Sequence, residues 1–247
     1  MSNLSPAILA NFESFTENLP REISAKLSLF SGDEKLAFSY ARLSAFNSFK
    51  RDLVDKIFSE KSGRFLHEAH SDLLVSHVNA SMGAWRAALQ ALRSFLENSM
   101  SAIFYNDHPV ELIQWENGCF RVSAKELRNY CGNHPYFTDI KTHFNIQASL
   151  DEEYATLSKA VHASNELFRM TDTSGRITIA TPNVADLGKW GARQSRSFDV
   201  VALMLVTYLR DNMDGAKCLG LKGTLSQVMG SRAKGALLNG VGILVDV

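Results

Sequence analysis

Apolar residues recur at intervals of three and four through the first hundred positions, the spacing of helices with one buried face. Ile8, Leu9, Phe12, Phe15 and Leu19 share such a face behind Ser5-Pro6, a cap followed by a first-turn proline. A second short helix is expected after Pro20, carrying Ile23, Leu27 and Phe30. Ser31-Gly32-Asp33 breaks and recaps the chain. From 33 to about 61, Leu36, Tyr40, Leu43, Phe46, Phe49, Leu53 and Ile57 predict one amphipathic helix of roughly 40 Å. A longer one is predicted over about 65–105, with Leu74, Val78, Met82, Trp85, Leu89, Leu92, Leu96 and Ile103 as its stripe. Joined only by Ser62-Gly63, the two are expected to run antiparallel.

The pattern changes at Asn106-Asp107-His108-Pro109. Within 111–122, alternating residues flank Asn117-Gly118, the favoured two-residue hairpin turn, which would set Trp115 opposite Phe120 and Ile113 opposite Val122. Ser123-x-x-Glu126 and Ser149-x-x-Glu152 read as capping boxes of two further helices, the first ending at Gly132. A short strand is expected at 176–180. The stretch 197–211 is apolar nearly all round, a buried helix or a core strand. Seven of the 15 glycines fall in the last 33 residues, a tail still rich in Leu, Ile and Val that reads as a packed extension or a docking surface. The predicted architecture is mainly α: an antiparallel bundle over 1–170 with a small β-hairpin, and a C-terminal helical extension over 171–247 packed on it.

Composition narrows the functional classes. Twenty-six Lys+Arg balance 26 Asp+Glu, so no whole-surface attraction to nucleic acid or anionic lipid is expected, only a local patch. A 45% apolar content excludes disorder, and the longest strongly apolar run, 200–206, is too short to cross a bilayer, so no membrane partner is expected. Cys119, Cys131 and Cys218 are scattered without ligand spacing, and Met1-Ser2-Asn3-Leu4-Ser5-Pro6 lacks a charged leader. These features predict a reduced, cytoplasmic protein without a metal site or cofactor.

The chemistry-bearing residues form several groups. His67, His70 and His77 fall on one arc of a helix, along the rim of its apolar stripe, where histidine commonly sits with its ring half covered. Arg-x5-His occurs at Arg64/His70 and at Arg128/His134. Both resemble the Arg-x(4–6)-His element of helical HEPN ribonucleases, and that resemblance implies 2′-hydroxyl attack on an adjacent phosphate, the histidine carrying the proton and the arginine stabilising the charge. Asp107-His108 stands where a helix stops, and His162 follows Val161 one turn after Ser158. Lys189, Trp190, Arg193 and Arg196 place three cations and an aromatic ring within eight residues that hold no acid, the composition of a single-strand nucleic-acid contact. Phosphate-loop, dinucleotide, nucleophile-elbow and zinc-protease motifs are missing from the sequence.

Two stretches, Leu92-Arg93-Ser-Phe-Leu96-Glu97 running into Phe104-Tyr105-Asn-Asp107-His108-Pro109-Val110-Glu111, and Tyr154-x-x-Leu157-Ser158-x-x-Val161-His162-x-Ser164, resemble the HEPN-like helical domains of prokaryotic abortive-infection and anti-phage proteins, over about 66–170. The resemblance implies an antiparallel bundle, frequent dimerisation, and either RNA cleavage or a non-catalytic role with a partner. The Arg-x(4–6)-His element of such nucleases lies in neither stretch, which leaves Arg93, Asp107, His108 and His162 as a polar group without an assigned task. Three readings follow: a cytoplasmic HEPN-like defence or toxin-type component acting through RNA or a partner protein, a homodimer among the forms expected; a metal-independent endoribonuclease using Arg128/His134 or His108/His162; and a structural subunit of a larger assembly.

Overall fold

The computed structural model describes residues 5–161, 180–213 and 218–245, which contain eleven α-helices and no strand. Helix α1 (Pro6–Ser28) starts as its cap predicts, Ser5 Oγ accepting the Ile8 N–H at 3.4 Å. It runs straight through Pro20, so the expected break there is not made. None of its residues is buried.

Helix α2 (Glu34–Phe49) is capped by Asp33, whose Oδ1 accepts the Lys35 N–H at 2.8 Å. The single helix expected over 33–61 is interrupted by a wider π-type turn, Lys50–Val54, before the one-turn α3 (Asp55–Ile57). The extra residue in that turn lets Phe49, Leu53 and Val54 all face inward. The helix expected over 65–105 is likewise two, α4 (Glu60–Ser81) and α5 (Trp85–Asp107). Gly83 ends the first with φ +77°, and a Cβ there would stand 2.6 Å from the backbone of Pro182. The antiparallel pair therefore turns at Gly83, while Gly63 lies buried inside α4.

The expected hairpin is absent. Pro109 opens α6 (Pro109–Glu116), and Asn117-Gly118 terminates it, Gly118 at φ +72° and the Cys119 N–H returning to the Gln114 carbonyl at 2.8 Å. The same dipeptide serves either a hairpin or a left-handed helix end, and the preceding proline decides for helix. Helix α7 (Ala124–Gly132) carries the full capping box: Ser123 N–H to Glu126 Oε2 at 2.7 Å, and Glu126 N–H to Ser123 Oγ at 3.2 Å. Helix α8 (Ile146–Val161) begins a turn earlier than predicted, with Asn145 Oδ1 accepting the Ala148 N–H at 2.9 Å; Ser149 is thus an interior position.

Helix α9 (Val184–Tyr208) resolves the ambiguity at 197–211 in favour of helix. It is capped by Asn183 and all but sealed at 200–206, where no residue exceeds 1% exposure. The strand expected at 176–180 lies, but for Ala180, outside the described residues. The tail forms α10 (Leu219–Val228) and α11 (Ser231–Val241), stopped by Gly242 at φ +71°.

Two helices organise the packing. Helix α5 contacts α4, α7, α8 and α9, and α9 in turn contacts α2, α8 and α11, while α10 lies on α2. Leu92, Phe95, Leu96 and Met100 of α5 and Phe198, Val201 and Leu205 of α9 share one apolar core with Leu221, Leu225 and Leu237 of the tail. No helix among the described residues is long and apolar enough to cross a membrane.

Candidate functional site

The polar residues singled out in the sequence divide among several places. The first is the end of α5. The non-helical backbone of His108, φ −124° and ψ 68°, before Pro109 halts the helix, and the Asp107 side chain meets α7 and α9. Its Oδ1 accepts the Tyr208 O–H at 2.6 Å; its Oδ2 accepts the Tyr130 O–H at 2.7 Å and the His134 Nε2–H at 3.1 Å. Burial alone would raise the Asp107 pKa, but the bonds from His134, Tyr208 and Tyr130 outweigh it and hold the carboxyl below its ordinary value. Burial, reinforced by the Asp107 carboxylate, pushes both phenols up, so they stay protonated donors. Asn106 extends the group, donating to Tyr208 Oη at 2.9 Å and accepting from Ser62 Oγ at 2.9 Å.

His134 is buried, and its Nδ1 accepts the Tyr136 N–H at 3.2 Å. With Nε2–H given to Asp107, neither ring nitrogen is left to take a proton from a substrate. The arrangement ties α5, α7 and α9 together and holds no free base. His108 differs: its ring stacks on Phe104 with centroids 4.3 Å apart, and Nδ1–H meets the Phe104 carbonyl at 2.8 Å, leaving Nε2 unpartnered among the described residues.

The predicted arginines are elsewhere. Arg93 bonds Glu97 Oε1 at 3.0 Å and lies 4.6 Å from the Tyr154 ring centroid; Arg128 lies 4.1 Å from the same ring and bonds Asp151 at 2.7 Å. Arg128 and His134 therefore serve different partners and do not form a catalytic pair. Arg64 is paired with Glu60 at 2.8 Å, while His70 stacks on Phe46 and contacts Lys50, so the first Arg-x5-His is not assembled either. His67 turns to Asp55 and His77 to Ser39, which separates the three histidines of α4. His162 lies outside the described residues.

The last place is the basic run on α9, where the expectation of an open nucleic-acid contact meets packing. Trp190 is 2% exposed, and its indole N–H donates to Ser76 Oγ at 3.0 Å, so its faces are not open to a base. Arg193 donates to Glu153 Oε1 at 2.8 Å, Arg196 stands 3.6 Å from Glu152, and Lys189 bonds Asp186 at 2.9 Å. Glu152 and Glu153 from α8, and Asp186 from the first turn of α9, answer cations that look unopposed within 189–196 alone. The residues that sequence reasoning missed are Tyr130, Tyr208, Asn106 and Glu153. Only Tyr208 carried a signal, at the end of an apolar helix where a tyrosine keeps its hydroxyl for a polar partner.

No family model, curated protein or solved structure matches this chain.

Proposed function

We propose that the chain is a cytoplasmic, non-catalytic helical component that works by holding a protein partner through α1, and that a second copy of itself is that partner. The observation that carries this is the state of α1. Ile8, Phe12 and Phe15 are 52%, 64% and 62% exposed on a helix with no buried residue. With Leu19 and Ile23 they span about 80° of its circumference, a continuous apolar stripe. Such a surface on a helix with no buried residue marks an interaction site.

A second copy offers a surface that fits. Tyr40, Leu74 and Val78 are 63%, 50% and 45% exposed on the α2/α4 face, around a groove of about 280 Å³ that also includes Leu43 and His70. The first twenty residues carry Glu13 and Glu17 and no Lys or Arg, whereas Lys50 stands beside His70 at the groove. The acidic arm favours a protein groove over phosphate. This reading keeps the HEPN-like resemblance in its dimerising, non-catalytic form. The endoribonuclease reading has less behind it, because His134 has no free nitrogen and Arg128 is turned to Asp151.

Light scattering on the eluting protein tests the proposal. Wild type is expected at twice 27.4 kDa at high concentration, and the Phe12→Glu/Phe15→Glu variant at 27.4 kDa. A wild type that stays monomeric would overturn the second-copy assignment. Cleavage of total RNA by wild type, lost in His108→Ala or His162→Ala, would overturn the non-catalytic one.

A further inference from the structure

Asn-Gly occurs twice in the chain, at 117–118 and at 239–240, and the two pairs stand in opposite surroundings. An asparagine before a glycine holds an electrophilic carbon, Cγ, within reach of the next amide nitrogen, and glycine has no Cβ to obstruct the approach. Asn117 is exposed at the end of α6, and its side-chain amide has no hydrogen-bond partner among the described residues. Gly118 follows outside the helix at φ +72°, with nothing within 4 Å of where a Cβ would stand. The pair is held by turn bonds, the Gly118 N–H to the Trp115 carbonyl at 2.9 Å and the Asn117 N–H to that of Ile113 at 3.2 Å. A solvent-exposed turn of this kind opens at little cost.

The second pair is closed in. Asn239 is exposed too, but Gly240 lies inside α11, where a Cβ would stand 2.6 Å from Ile140 Cγ2 and 2.9 Å from its Cα. Ile140 is buried, and the chain beyond Gly240 is tied back by the Gly242 N–H to Leu238 and the Ile243 N–H to Leu237, both at 3.1 Å. Moving the Gly240 nitrogen onto Asn239 Cγ would unwind this turn and lift α11 off Ile140, against close packing.

We propose that Asn117 is a site of spontaneous modification, converting to aspartate and isoaspartate, and that the fold withholds Asn239 from the same reaction. The Gly118 nitrogen attacks Asn117 Cγ, the Cγ–Nδ2 bond breaks, and Nδ2 leaves as ammonia with the Gly118 amide proton. The product is a cyclic imide. Water then opens the ring. Hydrolysis at Cγ restores the normal backbone with an aspartate, and hydrolysis at the main-chain carbonyl leaves isoaspartate, the chain now running through Cγ. Either product places a new negative charge beside Glu116 at the C-terminal end of α6, where the helix dipole disfavours it. Isoaspartate also adds a carbon to the backbone within the loop closed by the Cys119 N–H and the Gln114 carbonyl, the bond that ends α6. This assignment is independent of the self-association proposed for α1.

Ageing the full chain in warm, mildly alkaline buffer, both folded and in urea, tests it. Peptide mass spectrometry follows the amide-to-acid mass change at 117 and 239, and electron-transfer fragmentation separates isoaspartate from aspartate. In the folded protein, position 117 is expected to convert at least about tenfold faster than 239, with both acids appearing. In urea the two positions are expected to convert at comparable rates, 239 gaining most from unfolding. Folded protein that keeps Asn117 intact while the unfolded chain converts would overturn the proposal. Equal rates at the two positions in the folded protein, or the same preference for 117 in urea, would overturn the role given to the fold.

Discussion

Tyr208, the last residue of α9, donates its O–H to Asp107, the last residue of α5, at 2.6 Å, joining positions 101 residues apart. Asp107 also receives Tyr130 and His134, so it is the shared acceptor of three donors. Tyr208→Phe is expected to cost about 1–2 kcal/mol in urea unfolding, since it removes the bond to the charged Asp107 and takes the acceptor from the Asn106 amide. Asp107→Ala is expected to cost about 3 kcal/mol, because it strands two phenols and an imidazole together. Equal losses for the two variants would mean that the carboxylate is not the hub.

Trp190→Ala should destabilise the fold by about 3–5 kcal/mol, since it removes a sealed indole and its bond to Ser76. Lys189→Ala, one position away on the exposed side, should change stability by less than about 0.5 kcal/mol. Similar small effects for both would return Trp190 to the surface role its neighbours suggest.

Asp199 gives a pH-dependent test. Burial raises its folded-state pKa to about 6, above the ordinary value of 3.8, so the folded chain holds this proton more tightly than the unfolded one. The group therefore costs stability above about pH 6, and the cost disappears as pH falls through the folded value toward the unfolded one. Asp199→Asn is expected to raise stability by about 2 kcal/mol near pH 8 and to have no effect near pH 4. His70 and His77 act in the opposite direction: burial lowers both, so their contribution is whole above about pH 6.5 and is lost on acidification below it. Denaturant midpoints across that range, for wild type and variant, separate the two trends.

Two glycines should respond with opposite signs. A Cβ on Gly132 would lie 2.4 Å from the Gln147 Cβ, so Gly132→Ala forces α7 away from α8 and should cost about 1–3 kcal/mol. Gly235, inside α11, faces open space, and Gly235→Ala should add about 0.5–1 kcal/mol. Thermal midpoints of the two variants check both.

Local rules made much of the fold legible. Ser5-Pro6 and Ser123-x-x-Glu126 act within a single turn, and both do what their residues dictate. Asn117-Gly118 could not be read alone, because a left-handed glycine ends a helix as readily as it turns a hairpin. The stripe Leu187, Trp190, Gln194, Ser197 and Val201 has helical spacing, but two of its five members are polar, and three nearby cations drew attention to the other face. The arrangement around Asp107 was beyond reach. Its partners lie 23, 27 and 101 residues away, and periodicity carries no information about which helix ends meet.

The placement of α9 bears on how the chain comes together in time. The segment at the centre of the core, 200–206, is made late, after α2, α4, α5 and α8 have already emerged. During synthesis the inner faces of α5 and α2 have no α9 to close against, and apolar side chains such as Phe46, Phe95 and Leu96 wait in water or on chaperones. Completion of the core depends on contacts between segments more than a hundred residues apart, so this protein should fold more slowly than its helical content alone suggests.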